Sequence, residues 1–274
     1  MPYLPYDILK ARVLITVKTY PLPSRGYTEL VCTAGLLDGT KWIRMYPIPF
    51  RFLQDNKQYP KYAWVEVDLT RNTKDFRPES YRLKNDNYNV LKKVGTADNW
   101  AARKSFVLNE VFTSMEKLID LAKGATKKSL ATVKPKEIVD FEIKPDEREW
   151  KKEWLEQLQQ RNMFEPDKQN GKRTIIRKLP YKFYYHFLTE DNKIRKLMIE
   201  DWEIGALYWN CLVQTSGDEE AAKQLVKQKY LEEFVEKDLC LFVGTTKQFH
   251  NVAPNPFVII GVFYPPKTSQ LSLL

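Results

Sequence analysis

Histidine is nearly absent from this chain: His186 and His250 are the only two in 274 residues. Cysteine is almost as scarce, with Cys32, Cys211 and Cys240 scattered and odd in number. Neither set has the spacing of a zinc site, and three isolated cysteines do not make a disulfide framework. They fit a reducing compartment. Glycine contributes only ten residues, and none form a Walker-type loop or a dinucleotide-binding fingerprint. There is no apolar run of about 18 residues, so no segment is a candidate for crossing a membrane as a helix. The opening Met-Pro-Tyr-Leu-Pro lacks the charged start and apolar stretch of a signal peptide, and a cytoplasmic location is expected. No metal and no cofactor is expected.

What is abundant is positive charge and aromatic side chains. Lys and Arg number 44 against 35 Asp and Glu, a net charge of +9, and aromatics make up 13% of the chain. A cationic surface concentrates polyanions, and phosphate contacts gain from the release of counterions. With 43% hydrophobic residues the chain can bury a core without staples.

The first third reads as strands: Arg12 to Thr19, Thr28 to Ala34, Trp42 to Ile48 and Ala63 to Leu69. Asp38-Gly39 between two of them signals a hairpin, because Gly accepts positive φ at the turn. Residues 72 to 94 are polar and read as loop with at most one short strand. From Asp98 apolar residues recur at helical spacing as far as Ala122, with Asp98 or Asn99 as cap and Gly124 as stop. A strand over Ile138 to Ile143 and a helix over Glu147 to Met163 follow. Next come a hairpin over Arg177 to Thr189 and Lys193 to Glu200, a helix capped by Asp201, a helix over Asp218 to Lys237, and buried strands over Leu239 to Gly244 and Phe257 to Phe263. The expected class is α+β, with OB-like or small-barrel β units and inserted, packed helices. The expected division is a β-rich OB-like unit over 1–96 and a mixed helix and sheet unit over 97–274.

Residues 14–51 are the most distinctive. A strand ending in Lys18-Thr19-Tyr20-Pro21 leads to a loop with Ser24 and Arg25. Cys32-Thr33-Ala34-Gly35 and the Asp-Gly turn follow, then Trp42-Ile43-Arg44, with Tyr46-Pro47 and Arg51 beyond. Strand alternation puts Trp42, Arg44 and Tyr46 on one face and Ile43 and Met45 on the other. Such a face suits phosphate contact and base stacking, and it also suits a core, since aromatics dominate both. This stretch resembles the start of prokaryotic dual OB-fold-containing proteins, in the pattern made by Cys32, Ala34, Gly35, Trp42, Ile43, Arg44 and Pro47. The resemblance implies an OB-like barrel and a nucleic-acid-binding role in a genome-defence or DNA-modification setting.

A second candidate is the basic segment with Lys172, Arg173, Arg177, Lys178 and Lys182 among tyrosines and phenylalanines, which suits tracking of a single strand. A third is the loop after the strand at Leu239 to Gly244, where Thr245, Thr246, Lys247 and His250 offer a phosphate site. The nucleic-acid residues expected are therefore Lys18, Arg25, Trp42, Arg44, Arg51 and the basic segment, with single-stranded DNA or RNA as the favoured partner. The rival expectations are a nucleotide- or nucleic-acid-processing enzyme using carboxylates with Mg²⁺ or the His250 loop, and a subunit whose basic face meets a protein partner. The carboxylate pairs Glu66 with Asp68, and Asp140 with Glu142, also read as solvent-facing alternation. With so few ligands of metal-binding type, chelation is expected to leave the melting temperature unchanged. A large drop measured by calorimetry with chelator would put a metal on the histidines and cysteines.

Overall fold

The computed structural model describes residues 4–23, 29–48, 50, 58–156 and 176–267. Two sheets account for nearly all of its strands. The first contains β1 (Asp7–Lys18), β2 (Leu22–Pro23), β3 (Glu29–Leu37), β4 (Lys41–Ile48), β5 (Ala63–Arg71) and β6 (Ser80–Lys93). Its order is β1-β5-β6-β4-β3, and β3 pairs again with β1, so these five strands close a barrel. Closure is possible because β1 is 12 residues long and serves two neighbours: Asp7 to Leu14 face β5, and Val13 to Lys18 face β3. Only the β4–β6 pairing in this barrel is parallel. Asp38 and Gly39 both take positive φ at the β3–β4 turn, as the hairpin signal requires. Gly35 is needed for a different reason, since a Cβ there would lie 2.3 Å from the Leu14 carbonyl oxygen on β1.

The long polar stretch after β5 departs from its expected loop. β6 runs 14 residues and pairs with β5 along most of its length. Arg82, Lys84, Asn85 and Asn89 face outward, while Tyr81 and Tyr88 point into the barrel, so hydrophobicity alone underestimates it.

The second sheet has the order β7-β8-β12-β13-β11-β10-β9. Its strands are β7 (Val111–Phe112), β8 (Leu130–Val133), β9 (Glu137–Pro145), β10 (Tyr181–Leu188), β11 (Ile194–Ile199), β12 (Cys240–Thr245) and β13 (Phe257–Phe263). The helices are α1 (Ala97–Val107), α2 (Met115–Lys123), α3 (Trp202–Gln214) and α4 (Glu219–Lys227), the last extended by a π-helical turn, Gln228–Glu233. The single helix expected from Asp98 to Ala122 is two, split by β7, and Ser114 restarts the second by accepting the Lys117 amide. Asp201 caps α3 as expected, and Asp218 caps α4 by accepting the Ala221 amide. One face of the sheet buries α2, α3 and α4 over an aromatic core that includes Phe141, Tyr185, Tyr208 and Tyr230.

The opposite face packs on the outside of the barrel. Leu14, Val17, Ala34, Leu36 and Trp42 meet Leu130, Phe242, Ile260 and Phe263 across this seam. Trp42 is therefore core, 7% exposed, with its ring edge-on to Phe242 at 5.4 Å. It offers no stacking face, because β4 is buried on both sides: Ile43 and Met45 fill the barrel and Trp42 and Arg44 fill the seam. The fold is thus a mixed α+β protein, a closed five-stranded barrel joined to a second sheet with helices. Trp42→Ala is expected to cost about 3–5 kcal/mol, read as a lower denaturant midpoint. An unchanged midpoint would contradict its place in the seam.

Candidate functional site

The seam becomes polar where β4 continues past Trp42. Arg44 is 3% exposed. Its guanidinium donates to Ser80 Oγ at 3.3 Å and Ser129 Oγ at 2.9 Å, and to the carbonyls of Ser129 at 3.2 Å and Thr245 at 3.4 Å. Arg77, from the β5–β6 loop, donates to the same Thr245 carbonyl and grips Asp75 at 2.6 Å. Ser80 Oγ also donates to Asp75, and Glu79 accepts from the Ser129 amide and hydroxyl, each at 2.9 Å. Two barrel arginines and two barrel carboxylates thus hold the start of β8 and the end of β12. Burial first, then the charge of Arg77, lower the Arg44 guanidinium from its ordinary value. Burial works to raise the Asp75 carboxyl, but Arg77 outweighs it and holds it at about 2.

Beside this network the seam opens into a cleft of about 850 Å³. The barrel contributes Tyr46, Lys74 and Arg82, and the loop after β12 contributes Thr246 and Lys247. Trp154 borders it from the short helix over 152–156. Its lining also includes the buried Arg44 and the half-buried Cys32 and Glu200. Among the described residues, the charged heads of Lys74, Arg82 and Lys247 have no acidic partner; Lys247 Nζ donates only to the Lys74 carbonyl. Burial pushes the Cys32 thiol up, so it is not an activated nucleophile. Burial also raises the Glu200 carboxyl, which has no hydrogen-bond or ion-pair partner among the described residues.

The sequence-predicted residues scatter. Arg44, Thr245, Thr246 and Lys247 line the cleft together. His250 does not: it is fully buried, with Nδ1 2.7 Å from Thr245 Oγ1 and Nε2 2.9 Å from the Ala122 carbonyl. Nε2 must donate to that carbonyl, so Nδ1 accepts from the threonine, and the ring ties its loop to α2. Burial lowers its pKa and favours this neutral form. In the basic segment, Arg177 lies over the Trp209 ring at 3.9 Å, and Lys178 and Lys182 share Asp146 at 2.8 and 3.0 Å. Lys178 and Lys182 are thus neutralised by the protein's own acid, while Arg177 meets the ring. Arg25, Arg51, Lys172 and Arg173 lie outside the described residues. Glu142 accepts from Lys196, His186 and Lys144 in an ion cluster on the strands, which accounts for that carboxylate without Mg²⁺. Among the described residues no group of three or more His, Cys, Asp or Glu side chains is arranged to hold a metal ion.

Four site residues were hidden in the presumed loop: Lys74, Asp75, Arg77 and Arg82. The signal that could have found them is the cation-rich run Lys74-Asp75-Phe76-Arg77 between two strands. Glu200 stands in the sequence as the last residue of an expected strand, with no site signal of its own.

Lys18 sits in a separate cavity of about 290 Å³ with Lys61, Lys93 and Arg103. Its ammonium donates to the Tyr59 carbonyl at 3.1 Å and lies 4.4 Å from the Phe50 ring centre. Lys61 takes both Asp201 and Glu203 at 2.9 Å, leaving Lys18 with no acid in contact. Burial first, then the Lys61 charge, lower Lys18 to about 8. The folded state therefore holds this proton less firmly than the unfolded chain. Stability rises with pH from about 8 towards the ordinary lysine value of 10.5 and is lost as pH falls through about 8. Lys18→Met is expected to raise stability at neutral pH on the order of 1–3 kcal/mol and to flatten that rise. Parallel denaturant curves at pH 7 and 10 check it, and an equal pH response in both proteins would refute the placement of Lys18.

Comparison with curated proteins found no match. Residues 9–109, which hold the barrel and α1, match the family described as domain of unknown function DUF8758. Residues 110–274, the second sheet and its helices, match domain of unknown function DUF8757. The latter match covers more than half of the chain, and the protein belongs to the DUF8757 family.

Proposed function

We propose that this protein is a nucleic-acid-binding module that receives a single strand of DNA or RNA in the cleft between its barrel and second sheet. The observation that carries this reading is the set of cations without acidic partners, Lys74, Arg82 and Lys247, beside the exposed ring of Tyr46 in one cleft. Cations that the protein leaves unneutralised suit phosphates, and an aromatic face suits a base.

The barrel topology supports it. Counting the five barrel strands in chain order, the neighbours run 1-2-3-5-4 and back to 1, with strands 3 and 5 parallel. That is the order of an OB barrel, whose strand 2–3 face and 1–2 and 4–5 loops bind oligonucleotides. Here Cys32, Arg44 and Tyr46 come from strands 2 and 3, Thr19 and Leu22 from the 1–2 connection, and Lys74 and Arg77 from the 4–5 loop, and all of them line the cleft. Among the described residues no helix is long and apolar enough to cross a membrane. The three cysteines are free, which agrees with work in the cytoplasm. The resemblance over residues 14–51 is the ground for placing it in a prokaryotic defence or DNA-modification assembly.

Salt-dependent affinity tests the reading. Binding of a short single strand is expected to fall steeply with salt, with a log–log slope of about −0.7 for each phosphate neutralised. Replacing Lys74, Arg82 and Lys247 together by Ala is expected to flatten that slope by up to about 2 units. Tyr46→Ala is expected to cost about 1–3 kcal/mol of binding with the slope unchanged. A wild-type protein that binds no strand at low or physiological salt would overturn the proposal.

A further inference from the structure

Phosphate binding leaves one part of the cleft without a task, the carboxylate of Glu200. Its backbone is fixed on both sides: the Glu200 amide donates to the Ile259 carbonyl at 2.7 Å, and the Glu200 carbonyl accepts from the Tyr20 amide at 3.1 Å. The side chain therefore projects from a rigid seat where both sheets meet. It lines the cleft, and no donor among the described residues reaches it, although Arg44, Lys74, Arg77, Arg82 and Lys247 line the same space. A half-buried carboxylate with no hydrogen bond is costly. An ion pair with one of these cations would have removed that cost, yet none forms. The arrangement suits a ligand that brings its own donors to Glu200 and its own negative charge to the cations.

A carboxylate accepts and cannot donate, and it is best satisfied by two parallel N–H groups. Guanine presents that pair on its Watson–Crick edge, from N1 and the N2 amino group. Adenine and cytosine each offer a single exocyclic amino group there, and uracil or thymine a single ring N–H. Guanine also carries an acceptor, O6, beside the donor pair, and the cleft has guanidinium donors in its lining. The volume of about 850 Å³ admits a nucleotide with room to spare.

We infer that the cleft takes a guanine nucleotide, with Glu200 accepting its N1 and N2 hydrogens and Lys74, Arg82 and Lys247 holding its phosphate. The inference rests on the nucleic-acid reading of the same cleft and names the unit that is read there. The nucleotide is either free or a unit of a strand, and the chemistry at Glu200 is the same in both.

Titration calorimetry on the full chain with GMP, IMP, AMP, CMP and UMP tests it. GMP is expected to bind about tenfold or more tightly than AMP, CMP and UMP, the discrimination of one good bidentate contact. IMP keeps N1–H and lacks the N2 amino group, so it is expected to lose most of that preference with no change to the protein. Glu200→Gln, checked for an unchanged melting temperature, is expected to erase the difference between GMP and the other nucleotides. Thymidine decamers with one guanosine, at the 5′ end or in the centre, separate a terminal or internal strand unit from a free nucleotide. Equal affinity for all five nucleotides, or a GMP preference that survives Glu200→Gln, would overturn the inference. If the decamers then still bind with a steep salt slope, the nucleic-acid reading stands without it. Selective GMP binding with no decamer bound at any salt would remove the strand and keep the guanine site. Binding of neither would remove both.

Discussion

Everything about the cleft depends on one carbonyl oxygen. Thr245 ends β12 with its C=O pointing out of the second sheet, and Arg44 and Arg77 of the barrel both donate to it. Two guanidinium groups in a buried seam would repel each other and remain poorly solvated. They are tolerated because Asp75 neutralises Arg77, Glu79 lies close by, and Ser80 and Ser129 absorb the remaining donors. Removing one partner from such a set leaves an uncompensated buried charge, which is the costly event. The network therefore acts as a latch with a fixed geometry. It has the directionality that the apolar contacts of the neighbouring seam lack.

The apolar and polar halves of the seam divide the labour. Trp42, Phe242 and Phe263 supply area, which is roughly proportional to stabilisation and indifferent to small slides. Arg44, two residues farther along the same strand face, supplies position. Strand alternation makes this possible: β4 delivers Ile43 and Met45 to the barrel interior while Trp42 and Arg44 serve the other sheet. A second buried pair, Lys61 with Asp201, ties β5 to the start of α3 in the same way, and Asp201 caps that helix as well. Both sides of the barrel are thus anchored by charge to the second unit. The cleft between them is a feature of the joined structure and belongs to neither half alone.

The strands and caps were legible in the sequence where local chemistry dictates them. Asp38-Gly39 made its hairpin because positive φ is required at that turn, and Asp201 caps its helix because its side chain reaches a free amide. β6 was not legible, since its solvent face is nearly continuous polarity and only Tyr81, Leu83, Tyr88 and Val90 mark the inner face. The alternation of Trp42, Arg44 and Tyr46 was read correctly as a shared face. Which face was covered depends on a sheet formed some 90 to 220 residues later, and no local pattern encodes that. His250 misled for the same reason: a histidine in a polar loop after a strand is buried once α2 closes over it.

Charge shows the same limit more sharply. The densest basic run in the chain suggested a phosphate track, yet Lys178 and Lys182 are both held by Asp146, more than 30 residues earlier in sequence. Among the described residues, the exposed cations that line the cleft without an acid are Lys74, Arg82 and Lys247, the last of which is 165 residues from Arg82 and joins it only because the latch on Thr245 brings the next two residues to the barrel. A run of lysines in sequence attracts its own counter-charges during folding, because unpaired like charges in proximity raise the energy of the compact state. Lys74, Arg82 and Lys247 meet from distant segments, and the carboxylates of the neighbouring latch have other partners. Here Asp75 and Glu79 are consumed by the latch itself. The interaction that positions the two units is therefore also what leaves the cleft positive.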